Sequence, residues 1–428
     1  MKDSESAAAT SSGAGRLAIH GGEKVRREPF PPRGSLGQDE EAAVLAVLER
    51  GLAAGEMPGY NGAEEEAFCR EFAAALGGGY ADAVSSGTAA LYVALKALDL
   101  EPFGEVVVSA ITDPGGMMPI PLLNLIPVVA DVEPDSYNSG PDQVAELFSP
   151  LTRAVVIAHI GGEPADIAGI VALAHRHGVP VIEDCAQAHG AQLAGRAVGA
   201  FGDIAVFSTM FGKHMSTGGQ GGVVFTRNEG LYRAVRRVSD RGKPFFLPDG
   251  ATNVTAALNL NLNDLAAAIG RVQLRKLPEV VARRREIVGQ LGEGILDLPT
   301  VSLPAPIPNA RPSYWFLRLR FHAEAATCDR DAYCRALLAE GLPITPHYRA
   351  ALPHTQEWFT ARRVFGSSGY PWASPDYRGD RERRFPCPNA QAAVATHFNL
   401  HLHENWGPAE IDAALTILRK VDAAYRAR

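Results

Sequence analysis

Apolar residues in the first half of the chain come in short runs. Tyr80–Val84, Glu105–Ser109 (EVVVS), Pro127–Val132 (PVVADV) and Arg153–Ile160 (RAVVIAHI) have strand length, as do Val179–Asp184 (VPVIED), Ile204–Ser208 (IAVFS) and Gly221–Thr226 (GGVVFT). Between them, Gly87–Leu98 and Ile167–His177 place apolar residues every three or four positions, which predicts helices. Upstream, Gln38–Leu52 follows an acidic first turn, and Ala63–Leu76 does the same before GGG ends it. Short runs that are apolar on both faces, with helices between them, predict an α/β fold. Its central sheet is mostly parallel and covered by helices on both sides.

After about Leu231 the rhythm changes. Leu262–Glu286 predicts a long, Arg-rich amphipathic helix, and Ser313–Phe321 (SYWFLRLRF) alternates as a half-buried strand does. Cys328–Glu340 and Pro408–Ala424 read as helices, and Gly366–Arg384 as a long surface loop. The expected organisation is a disordered tail at 1–16, a large domain at 17–260, and a smaller α+β C-terminal domain at 261–428.

Composition narrows the function. Hydrophobic residues make up 46% of the 428, which excludes global disorder. The net charge of −7 gives no basic footprint for nucleic acid. Five scattered cysteines without a CxxC pair indicate neither a zinc site nor a disulfide framework, and fit a reducing cytoplasm. The polar opening MKDSESAAATSSGAG is not a secretory signal. The longest apolar stretch, Val106–Val129, contains Asp113, Asn124 and four prolines, so no membrane span is expected. No HExxH pair occurs, so no metal is expected.

Of 41 basic residues only seven are lysine, so few amines are available for chemistry. Lys2, Lys24, Lys96, Lys276 and Lys420 read as surface, and Lys243 is ambiguous. Lys213 lies between strand IAVFS and the Gly-rich HMSTGGQGG. It is either an ordinary loop lysine or an amine placed for nucleophilic work in a partly dry pocket. Asp184 ends strand VPVIED, as a turn residue or as a carboxylate at a ligand-binding sheet edge. Ser85-Ser86-Gly87-Thr88 opens a helix, as a plain N-cap or as a phosphate cradle. Ser208 offers another hydroxyl. A lysine, a carboxylate for a pyridine nitrogen and an anion site together match what pyridoxal phosphate (PLP) requires.

The ordered set SSGT, IEDCAQAHG, GDIAVFS, GK and GGQGG resembles the DegT/StrS-type sugar aminotransferases, which are PLP enzymes of fold type I (aspartate aminotransferase-like). The resemblance runs from AIHGGEKVR through LNLNLNDLAAAIGRVQL and SYWFLRLRF to NLHLHENWGPAEID. It implies that Lys213 carries the cofactor, Asp184 pairs with the pyridinium, and Gln187 lies near the phenolic oxygen. Gly87, Thr88 and Ser208 would hold the phosphate. Asn259 would reach it from a neighbouring subunit, which implies a homodimer with shared active sites. His347, in PHYR, resembles a substrate-side loop.

There are three departures from the family pattern. Asp113 stands where the family stacks an aromatic ring, Gln220 replaces a glutamate, and Asn261 replaces an arginine. The resemblance implies transfer of an amino group from glutamate or glutamine to a keto-sugar, nucleotide-linked in the expected case, or to a keto-cyclitol. Amino-sugar, aminocyclitol and antibiotic biosynthesis are the routes it suggests. The alternatives are a sugar dehydratase of the same family, which would carry histidine at position 213, and a non-catalytic sensor or regulator that kept the fold.

Overall fold

The computed structural model describes residues 16–348 and 351–427. The expected tail at 1–16 therefore lies outside the described residues except for Arg16.

The apolar runs assemble into a seven-stranded sheet. Its strands are β1 (Tyr80–Val84), β2 (Glu105–Ser109), β3 (Ile126–Ala130), β4 (Thr152–Ala158), β5 (Val181–Asp184), β6 (Ile204–Ser208) and β7 (Gly222–Thr226), in the order β1-β7-β6-β5-β4-β2-β3. Only β7 opposes its neighbours; the other pairings are parallel. Every residue of β2, β3, β6 and β7 is buried, as a sheet covered on both faces demands.

Helices α1 (Gln38–Ala54) and α2 (Ala63–Ala75) precede the sheet. Helices α3 (Gly87–Ala97), α4 (Ile167–Arg176) and α5 (Glu229–Ser239) are interleaved with its strands. Each of these three starts on a side-chain cap: Ser86, Asp166 and Asn228 accept from the amide three positions on.

Helix α6 (Asp264–Gly294) is longer than its hydrophobic pattern predicted and joins two cores. Its Ala267 and Leu274 pack with Phe68, Phe72 and Phe207, while Ile287, Val288 and Leu291 join a second cluster around Leu317, Phe398 and Trp406. That cluster surrounds a four-stranded antiparallel sheet of β8 (Val301–Ser302), β9 (Leu317–Phe321), β10 (Ile344–Thr345) and β11 (His397–Leu400). Helices α7 (Arg330–Glu340) and α8 (Pro408–Tyr425) cover it. We infer a large and a small body along these two cores. Ala351, Leu352, Cys387, Ala390, Ala393 and Val394 return to the larger one.

Two departures from the sequence pattern matter. The alternation in Ser313–Phe321 predicts one continuous strand, yet only Leu317–Phe321 pairs in the small sheet. Ser313 and Trp315 instead donate their amides to the carbonyls of Gly162 and Gly161, at 2.9 and 2.8 Å. Gly161 and Gly162 hold φ of 66° and 83°, and a Cβ on Gly162 would sit 2.7 Å from the Ser313 hydroxyl. Only glycine allows this approach, and it carries Trp315 toward the large sheet. The loop at Gly366–Arg384 is also more than surface. Trp372 and Tyr377 are buried against Ile126, and the Tyr377 hydroxyl donates to Glu105 Oε1 at 2.8 Å.

Candidate active site

A parallel sheet exposes the carboxyl ends of its strands to whatever the following loops enclose. Here those ends surround a cavity of about 250 Å³. Gly87 and Thr88 come from the start of α3, Thr112–Gly116 from the segment after β2, and His159 from the end of β4. Asp184 and Gln187 come from the end of β5, and Ser208 and Lys213 from the end of β6.

Lys213 is 6% exposed. Burial pushes its amine down to about 8, against the pull of the Asp184 and Asp113 carboxylates. Burial in turn pushes the Asp184 carboxyl up, opposed by the Ala186 amide and by Lys213. Asp184 Oδ1 accepts from the Ala186 N–H at 3.0 Å, and a Cβ on Gly116 would come within 3.0 Å of Oδ2. Gln187 Oε1 accepts from the Gly161 N–H at 2.8 Å, and its Nε2 donates to the Tyr348 hydroxyl at 3.3 Å.

Ser86 caps α3 with its hydroxyl, which leaves the first amides of the helix, Gly87 and Thr88, turned to the cavity. A Cβ on Gly87 would lie 2.7 Å from Ser208 Cβ, so only glycine lets the helix start close on this strand end. Asp113 is exposed at the cavity and caps its own turn, with Oδ1 accepting from the Gly115 amide at 2.8 Å.

The lysine loop is held on several sides. The Thr209 and Thr217 hydroxyls meet at 2.9 Å across its base. Arg33 donates to the carbonyls of Lys213 and His214, and its Nε donates to Glu404 at 2.7 Å. Glu404 also accepts from Arg284, which is 2% exposed. The indole N–H of Trp315 donates to the Gly212 carbonyl at 2.8 Å.

Behind the cavity, His159 Nδ1 accepts from the Ala165 amide, so its Nε2–H donates to Glu183 at 3.2 Å. Glu183 also receives the amides of Gly199, Phe201 and Gly202. His159, Glu183 and Cys185 lie close enough to suggest a metal site. However, the carboxylate oxygens and the imidazole are already committed to these hydrogen bonds, which makes the group a brace behind Asp184.

Of the residues singled out from sequence, Lys213, Asp184, Gly87, Thr88, Gln187, Ser208 and Asp113 converge on the cavity. Asn259 and His347 do not line it. Asn259 is exposed and accepts from Asn261 Nδ2 at 2.7 Å, while His347 Nδ1 accepts from Arg330 at 2.7 Å. The residue after His347, Tyr348, makes the contact with Gln187. Sequence reasoning missed Tyr348, Trp315, Arg33 and Glu404. The available signals were the tyrosine within PHYR, the tryptophan in SYWF and the acid in HENWG.

Lysine, opposed carboxylate and anion cradle at one sheet edge define a pocket built for a phosphorylated aldehyde cofactor and an amine. Residues 36–419 match the DegT/DnrJ/EryC1/StrS aminotransferase family. An aminotransferase from Psychrobacter cryohalolentis is similar at 28% identity over 92% of this chain and 99% of its own, with a TM-score of 0.82. TlmJ, an aminotransferase from Streptoalloteichus hindustanus, is similar at 32% identity over 91% and 97%, with a TM-score of 0.77. DesI, solved in the presence of its TDP-sugar product, is similar at 27% identity over 95% and 96%, with a TM-score of 0.75.

The chain belongs to the DegT/DnrJ/EryC1/StrS aminotransferase family. It is an enzyme of the type I fold, and its cofactor is pyridoxal phosphate. The residues present fit that group. Gly87 and Gly116 leave space that a Cβ would fill, free helix amides face a phosphate-sized cradle, and a carboxylate stands opposite the amine. Among the described residues, no helix is long and apolar enough to cross a membrane.

Proposed function

We propose that this enzyme moves an amino group from glutamate or glutamine to the carbonyl of a keto-sugar, nucleotide-linked or free, or of a keto-cyclitol. The observation that carries the reading is Lys213, a buried amine facing Asp184 across a cavity that also holds a helix N-terminus. The TDP-sugar product of DesI supports the sugar side of it.

Pyridoxal phosphate, when bound, supplies an electron sink for the carbon that carries the amine. Gly87, Thr88 and Ser208 would hold its phosphate, Asp184 would keep its ring nitrogen protonated, and Gln187 would face its phenolic oxygen. Lys213 Nζ would hold the proton taken from the donor's Cα, acting first as general base and then as general acid. On the acceptor the same amine works in reverse, so donor and acceptor use one site in turn. Retention of a lysine at position 213 separates this reading from a dehydratase.

Asp113 would meet the acceptor. Its exposed carboxylate stands at the cavity wall, where it can accept from hydroxyl groups of a polyol. His347 would act from the substrate side of the same loop as Tyr348.

The deciding experiment is a panel of keto-sugar nucleotides and inosose-type cyclitols, assayed in the amine-to-ketone direction. Turnover of one class, lost in Lys213→Ala, supports the proposal; a Lys213→Ala protein with full turnover refutes it.

A further inference from the structure

Lys213 faces an aromatic ring as well as two carboxylates. Its Nζ lies 3.7 Å from the centroid of the Trp315 ring. The indole N–H donates to the Gly212 carbonyl at 2.8 Å, which ties the ring to the residue immediately before the lysine. The Trp315 amide is held by the Gly161 carbonyl at 2.8 Å, and Phe316 flanks the ring at a centroid distance of 5.6 Å. The ring therefore has a fixed place relative to both the lysine loop and β4. An aromatic face attracts an ammonium group and is indifferent to a neutral amine.

We propose that Trp315 is a positioning residue that seats the Lys213 amine while it is free of the cofactor and biases it toward the protonated state. The idea rests on the role given to Lys213 above, but it concerns the amine and not the acceptor. The charged and titratable groups around that amine are Asp184 from β5, Asp113 from the segment after β2, His189 from the loop after β5, and Arg33 at the loop backbone. The two carboxylates favour the ammonium, and burial opposes it. The indole face acts on the side of the carboxylates. An amine that both accepts and donates a proton works best near balance, and the ring contributes to setting that balance.

The test uses cofactor-free full-length protein. Trinitrobenzenesulfonate labels only neutral amines, and peptide mass spectrometry reads the Lys213 adduct as a function of pH. In Trp315→Leu the labelling midpoint is expected to fall by about half to one and a half pH units, the range that a desolvated cation–π contact supplies. Trp315→Phe keeps a ring face and should retain most of the wild-type value.

A purely structural role has the opposite sign. If Trp315 only excludes water, its removal hydrates the amine and the midpoint rises. A rise or an unchanged midpoint in folded Trp315→Leu overturns the proposal. Should that variant fail to fold, wild-type protein grown with increasingly fluorinated tryptophan keeps the shape and weakens the ring face. The midpoint should then fall stepwise, and a constant midpoint across that series overturns the proposal. Because neither donor nor acceptor is present, a chain that titrates as expected but aminates no keto-sugar would lose the substrate reading alone.

Discussion

A lysine that must serve as a proton carrier cannot keep the proton affinity it has in water. Burial brings the Lys213 amine down to about 8, with Asp184 and Asp113 holding it from falling further. At pH 7 roughly a tenth of such an amine is neutral, several hundredfold more than for an ordinary lysine. Steps that need the free base should therefore speed up about tenfold per pH unit below 8 and level off above it. The sign follows from the lowered value, since raising the pH removes the proton. A pH–rate profile of the donor half-reaction checks this, and an acid limb with no slope would contradict it. Lys213→Ala should lower turnover by about 10²–10⁴-fold. Lys213, Asp184 and Ser208 could be found in the sequence because each follows or ends an apolar run, and strand ends of a parallel sheet share one edge. Trp315, Tyr348, Arg33 and Glu404 could not. Arg33 lies 180 positions from the lysine whose carbonyl it binds, and Tyr348 lies 161 from Gln187. No local periodicity reports a contact of that range. Asn259 and His347 were marked by resemblance alone, and nothing within a single chain directs either toward the cavity.

The element that presents the lysine is a loop, and loops need outside support to hold a geometry. Arg33 and Glu404, with Arg284 behind them, supply it from three distant segments. Burial raises the Glu404 carboxyl, but the Arg284 and Arg33 guanidinium groups outweigh it and hold the group ionised. Glu404→Gln would leave Arg284 buried without its countercharge, at an expected cost of about 3–5 kcal/mol in chemical denaturation. Cofactor affinity should weaken alongside, since the loop backbone loses its anchor. A second network sets the opposite pH trend. Glu65 in α2 faces Asp82 in β1, Asp264 in α6 and Arg236 in α5. Burial and the two acids push its carboxyl up to about 7, despite the Asn61 amide and Arg236. A raised carboxyl contributes stability that is present below its unfolded value and is lost as pH rises through 7. Glu65→Gln should thus stabilise the protein by about 1–3 kcal/mol at pH 8 and by nothing near pH 4. Urea titrations at the two pH values measure the difference, and an equal change at both would exclude the mechanism. Most helices ended within a residue or two of their predicted limits because their caps and glycines are written locally. The Ser313–Phe321 strand did not, because Gly161 and Gly162 capture its first half from another part of the chain.

For the whole molecule, the question is what completes the cavity. Asn259 is exposed and 2 residues from Asn261, which pairs with Val84 at the end of β1, yet it does not reach the pocket of its own chain. Near it and in the lysine loop, single large apolar side chains are exposed: Leu258 is 54% exposed, Val254 53% and Phe211 68%. The family resemblance implies a two-fold dimer in which each Asn259 reaches the partner's cavity, and we propose that arrangement here. Shared sites make a prediction that separate sites cannot. Asn259→Ala should lose cofactor affinity, and Lys213→Ala should lose turnover, so each homodimer is impaired in both of its sites. Co-expressed in equal amounts, half of the dimers would contain one chain of each kind. In such a dimer, one site combines an intact Lys213 with an intact Asn259 from the other chain, and its second site has neither. The mixture should recover about a quarter of wild-type turnover. If each chain built its site alone, every site in the mixture would carry one defect and no activity would return. Sedimentation of the mixture establishes that mixed dimers form, and the recovered rate then shows to which chain each residue of the site belongs.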